Sequence, residues 1–102
     1  MPDPAAAPNA AIETVWFIEA TYAPDGAETR VPFRAEHIAR AAELKAAGTI
    51  VEIGAFTDVS SAVIIVRAES EAAALDIVRA DVYVKNGVWV ELRARPFGRI
   101  AG

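Results

Sequence analysis

The chain predicts one α+β domain whose elements run β-α-β-β-α-β. Three observations carry this. Four stretches rich in β-branched and aromatic residues read as strands. Two stretches of helical periodicity stand between the first and second and between the third and fourth of them. Residues that favour turns mark the boundaries. At 102 residues, the chain can bury a single core.

Val15 to Tyr22 reads as the first strand, stopped by Ala23-Pro24-Asp25-Gly26. A helix is predicted over 33–47, approached by Pro32 and ended by Gly48. Thr49 to Phe56 and Ser61 to Ala68 are two strands joined by a hairpin-sized loop. Ser70 is an N-cap candidate, and Glu71 follows it as a favourable first-turn anion. That second helix ends near Ala80, and 81–87 reads as a connector with Asn86-Gly87 as its turn. Val88 to Phe97 is the last strand. This order is ferredoxin-like, with a four-stranded antiparallel sheet carrying both helices on one face. Residues 1–13, with three prolines, read as a disordered tail ahead of a domain over 14–102.

Strand alternation assigns the faces. The sets Trp16, Ile18, Ala20, Tyr22; Val51, Ile53, Ala55; and Val88, Val90, Leu92, Ala94 are apolar and are expected to face the helices. The other face then mixes Phe17, Ile50, Phe56 and Trp89 with Glu19, Glu52, Glu91 and Arg93. So much apolar surface predicts a homodimer packed sheet to sheet, in which those acids find Arg93, Arg67 or other polar partners.

Composition excludes several functions. A net charge of −4 argues against nucleic-acid binding, which needs a basic surface. No basic amphipathic helix or long apolar run suggests a membrane, and the N-terminus has no secretory pattern, so the cytoplasm is the expected location. Without cysteine there is no disulfide, thiol nucleophile or thiolate metal site. One histidine among scattered acids is a poor transition-metal set, and neither metal nor organic cofactor is implied.

The candidate chemistry rests on His37 and Asp81. His37 is the only imidazole, and it shares a helix face with Ala41 and Leu44, where a core residue is expected. It reads either as a general acid or base or as a half-buried histidine satisfied by a backbone carbonyl. Asp81 follows the second helix, where the dipole disfavours a carboxylate; it reads as the partner that orients His37 or as a turn residue. Arg34 and Arg30 flank the first helix and can hold an anionic substrate or be solvated surface charge. No nucleophile elbow or phosphate loop is present.

The motifs together resemble the YciI-like (YCII-related) family of the dimeric α+β barrel superfamily. They are Arg34-x-x-His37-Ile38-Ala39, Ala47-Gly48-Thr49-Ile50 leading to Gly54, Ala68-Glu69-Ser70-Glu71-x-Ala73, Ala80-Asp81-Val82-Tyr83-Val84, Gly87-Val88-Trp89-Val90 and Arg95-Pro96-Phe97. The resemblance spans about Val15 to Phe97. It implies small homodimers whose sheets close into a barrel, and a His–Asp site that maps to His37 and Asp81. It adds Gly54 and Tyr83 to Arg34 and Arg30 as candidate substrate contacts. One such relative eliminates chloride from a chlorinated hydroxyquinol. The chain departs from the family at Asp81-Val82 and Gly54-Ala55, where proline usually follows the first residue; each loss frees backbone. The expected function is acid–base chemistry of lyase or hydrolase type on a small polar or aromatic molecule. The alternatives are a non-catalytic ligand-binding module and a structural interaction domain.

Overall fold

A computed structural model describes residues 11–100. Strand β1 spans Ile12–Tyr22, β2 Ile50–Ala55, β3 Ser61–Val66 and β4 Trp89–Ile100. Helix α1 covers Gly26–Thr29, a 3-10 turn covers Val31–Phe33, and α2 follows over Arg34–Ala46. Helix α3 covers Glu71–Arg79, and α4 is a single turn over Val82–Lys85. The strand order is β2-β3-β1-β4 and every neighbouring pair is antiparallel. This is the ferredoxin-like α+β fold that the sequence predicts. The tail expected over 1–13 lies outside the described residues up to residue 10; Ile12 and Glu13 belong to β1.

Local chemistry explains the ends of the helices. Ser70 caps α3, its hydroxyl accepting the Ala73 N–H at 3.1 Å. Gly48 follows α2 with φ of +81°, a left-handed conformation that a side chain would strain. Connectors that read as turns hold the short helices α1 and α4.

The core lies between the sheet and the helices. Ile18, Ala20, Tyr22, Ala62, Ile64 and Val66 pack from the strands against Ala74, Val78 and Tyr83. Two β-bulges change which residues join them. Register shifts between Ile50 and Glu52, so Ile50 pairs with Val66 and Ile53 with Ile64. Both isoleucines then face the helices, and Ile50 is buried rather than on the open face. Register shifts again at the start of β4, where Tyr22 pairs with Trp89 but Thr21 pairs with Glu91. The extra residue, Val90, is 60% exposed, while Trp89 turns inward and is 3% exposed. Alternation alone puts Trp89 outside and Val90 inside; a bulge inserts one unpaired residue and reverses the phase.

The open face keeps Phe17 from β1, Val63 and Ile65 from β3, and Phe97 from β4. The Phe17 and Phe97 rings are 5.6 Å apart. Its charges meet the sequence expectation in part: Glu91 finds Arg93 and Glu52 a polar partner, but Arg67 serves neither. Glu52 meets Lys45 at 3.1 Å and Glu91 meets Arg93 at 3.4 Å, while Arg67 binds Glu13 at 2.6 Å. Glu19, Glu52 and Glu91 are all exposed in the single chain, and Glu19 has no ion-pair partner among the described residues. No helix among the described residues is long and apolar enough to cross a membrane.

Candidate active site

The site forms where the first turns of α2, the start of α4 and the start of β4 meet. His37 is the fourth residue of α2. Asp81 is the residue just before α4, and it caps that helix: its Oδ1 accepts the Tyr83 N–H at 2.9 Å. Asp81 follows the C-terminus of α3, as the sequence predicts, and a second helix end that the sequence does not announce offsets the cost of a carboxylate there. Asp81 sits at a helix N-terminus, where the exposed N–H groups welcome it. Val82 holds the first helical position, where a proline would also fit, so the absent proline removes pre-organisation without removing the cap.

The same carboxylate reaches across to α2. His37 Nδ1 is 2.9 Å from Asp81 Oδ1 and 3.0 Å from Oδ2. An ionised carboxylate only accepts hydrogen bonds, so Nδ1 carries the proton of this contact. The lone pair of a neutral ring then lies on Nε2, which has no hydrogen-bond partner among the described residues. Asp81 is 3% exposed, so His37 supplies a partner that a buried charge needs.

Aromatic rings fix the imidazole from other directions. The Tyr83 ring stacks on His37 with centroids 3.9 Å apart and planes 10° apart. Trp89 meets His37 edge to face at 5.2 Å and Tyr83 at 5.3 Å. Burial pushes the Tyr83 phenol above its ordinary value; Tyr22 and Asp81 add to this, while Arg30 and Arg34 oppose it.

His37 lines a cavity of about 350 Å³. Arg30, Arg34, Tyr22, Tyr83 and Trp89 share its wall, with Ile38, Ala41, Ile53 and Ala55 as apolar surface. Gly54 lines it too, although a Cβ at that position would meet nothing within 4 Å. The structure thus brings His37 and four further candidate residues to one cavity, with Asp81 behind the imidazole. No group of three or more metal-ligating side chains occurs among the described residues.

The YCII-related domain family matches residues 14–98. The chain belongs to that family. Its structure is similar to that of 5-chloro-2-hydroxyhydroquinone dehydrochlorinase from Burkholderia phenoliruptrix AC1100, solved in complex with 2,5-dihydroxybenzoquinone. The TM-score is 0.70 at 22% identity, over 81% of this chain and 92% of that one. At this identity the likeness is one of fold. No curated protein matches the chain in sequence.

Two residues of this YCII-related domain escaped the sequence reading. Arg40 donates to the Ile77 carbonyl at 2.8 Å and approaches Asp81 Oδ2 at 3.5 Å, so it ties α2 to the end of α3 beside the carboxylate. Its signal was present: it lies three residues after His37, on the same helix face. The second is the placing of Trp89: strand alternation puts it on the open face, and no local signal marks the bulge that turns it inward.

Proposed function

We propose that this YCII-related domain is an enzyme in which His37 moves a proton and Asp81 holds it in place. One observation carries the reading. The single imidazole is anchored through Nδ1, while its ring, with Nε2 unpartnered among the described residues, lines a cavity large enough for a small molecule. A general base needs this combination of a fixed tautomer and an open nitrogen beside the substrate. The carboxylate also stabilises the imidazolium that forms when Nε2 takes the proton.

The reaction class that fits is an elimination. His37 takes a proton from the substrate, negative charge develops on the substrate, and an anionic leaving group departs. The fold relative named as a dehydrochlorinase, bound to a small quinone, supports an aromatic hydroxylated substrate. Ile38, Ile53 and Ala55 supply apolar walls for such a ring. The working unit in this reading is a cytoplasmic homodimer closed through Phe17, Val63, Ile65 and Phe97. Three of these are only half-buried in one chain, and Phe97 is 41% exposed.

The test is release of chloride from 5-chloro-2-hydroxyhydroquinone by the wild-type chain. Turnover that falls by about 10²–10⁴-fold in His37→Ala supports the proposal, as expected for loss of a general base. Turnover unchanged in that variant overturns it. A second reading has one observation in its favour: Asp81 already serves as a helix cap, so the pair can be structural and the cavity a binding site only. That reading predicts ligand binding without turnover of any halogenated hydroquinone.

A further inference from the structure

The cavity beside His37 has a charge unlike that of the chain. The protein carries a net charge of −4, yet no acidic side chain lines this cavity, while Arg30, Arg34 and Lys45 do. Lys45 is matched by Glu52 at 3.1 Å. Arg30 and Arg34 have no carboxylate partner among the described residues. Arg34 is exposed, but Arg30 is half-buried, with its guanidinium 5.9 Å from the Tyr22 ring centre.

Two orphaned donors belong to the same wall. Arg30 Nε is buried with no hydrogen-bond partner, and so is the indole Nε1 of Trp89, on a residue 3% exposed. Buried N–H groups are nearly always satisfied, so these two leave the wall with donors that the described residues do not partner. The remaining surface is apolar, from Ile38, Ile53 and Ala55.

We propose that this cavity binds a small planar organic anion, its ring against Ile38 and Ile53 and its charged oxygens held by Arg30 and Arg34. Guanidinium groups are suited to this because they present paired donors to an anionic oxygen and stack on aromatic faces. The inference rests on the acid–base reading only for the orientation it gives: charge at the arginines, reacting atoms near His37. The anionic oxygens belong to a carboxylate or to an ionised phenol, and both satisfy the same donors.

The experiment uses the Trp16→Phe chain, in which Trp89 is the only tryptophan left. Its fluorescence is titrated with benzoate, with uncharged benzamide of the same shape, and with 4-nitrophenol, whose phenolate is coloured. Saturable quenching is expected with benzoate in the millimolar range and about tenfold weaker with benzamide, the ratio a charge-assisted hydrogen bond gives. Arg30→Gln and Arg34→Gln are each expected to weaken benzoate about tenfold and to leave benzamide unchanged. Retained benzamide binding shows that each variant is folded; Arg30→Lys, which keeps the charge but loses the fork, replaces a variant that is not. Growth of the phenolate band on adding protein at fixed pH identifies phenolates as ligands, and benzoate quenching without it identifies a carboxylate site. Equal affinity for benzoate and benzamide overturns the proposal, as does benzoate binding indifferent to both arginines or absence of quenching by either acid. His37→Asn separates this claim from the catalytic one. Benzoate affinity within about threefold of wild type, with turnover lost, supports both; benzoate binding that depends on His37 and not on the arginines overturns the anion site alone.

Discussion

Asp81 answers two demands with one side chain. It caps α4 through the Tyr83 N–H and it pairs with the His37 imidazole. The two substitutions that separate these demands have different expected costs. Asp81→Ala removes both and is expected to lower unfolding stability by about 3 kcal/mol, from a lost cap and a lost charged hydrogen bond. Asp81→Asn keeps an oxygen for the cap and is expected to cost about 1 kcal/mol, with the fold intact. Urea midpoints of the two variants check the order. Tyr83 adds a pH dependence. Its phenol is held above the ordinary value by burial, so the folded state retains the proton longer than the unfolded state. The stability this gives is fully present below the unfolded phenol value and is lost as pH rises through the folded one. A tyrosinate absorbance titration is expected to show one delayed step that Tyr83→Phe removes.

Among the elements, the bulges decide where sequence reading succeeds. All four strands and both long helices were legible, because apolar periodicity over six or more residues survives small errors at the ends. Faces were legible only where pairing stays in register. In β1 the alternation places Ile18 and Ala20 correctly; across the extra residue at Val90 it places Trp89 wrongly. A bulge is a property of two strands together, so one strand's sequence does not announce it. Helix α4 was missed for a related reason: one turn is too short for a periodic signal. The corrected faces set an expectation for thermal unfolding. Trp89→Ala is expected to cost about 3–5 kcal/mol, whereas Val90→Thr stays within about 0.5 kcal/mol. Similar losses at both positions would put the register of β4 in error. A salt cluster joins the same elements at their far end. Glu13 of β1 meets Arg67 beyond β3 at 2.6 Å and Arg99 of β4 at 2.9 Å. Its hydrogen bonds to Arg67 and Arg99 hold the Glu13 carboxyl below its ordinary value. Its contribution is therefore present above the unfolded carboxyl value and is lost as pH falls through the folded one. Glu13→Gln is expected to flatten the acid limb of the stability curve.

At the scale of the whole molecule, one sheet face is covered by helices and the other carries Phe17, Val63, Ile65 and Phe97 beside exposed charges. Moving Trp89 into the core shrinks this apolar surface without abolishing it. Sedimentation of the wild-type chain at micromolar concentration is expected to show a dimer, and Phe17→Glu a folded monomer. A wild-type monomer would remove the barrel from the account. The meeting of His37 and Asp81 was legible from the motifs around them, but the cavity was not, because its wall is assembled from residues as distant in sequence as Tyr22 and Trp89.

The claim that joins these scales is that Asp81 fixes the proton of His37 on Nδ1 and leaves Nε2 open to the cavity. Because His37 is the only histidine, ¹⁵N–¹H correlation spectra report this one ring without assignment. In the neutral ring of the wild type, the proton is expected on Nδ1, and in Asp81→Ala it is expected to leave that nitrogen for Nε2. A wild-type ring with its proton on Nε2, unchanged by Asp81→Ala, would contradict the account.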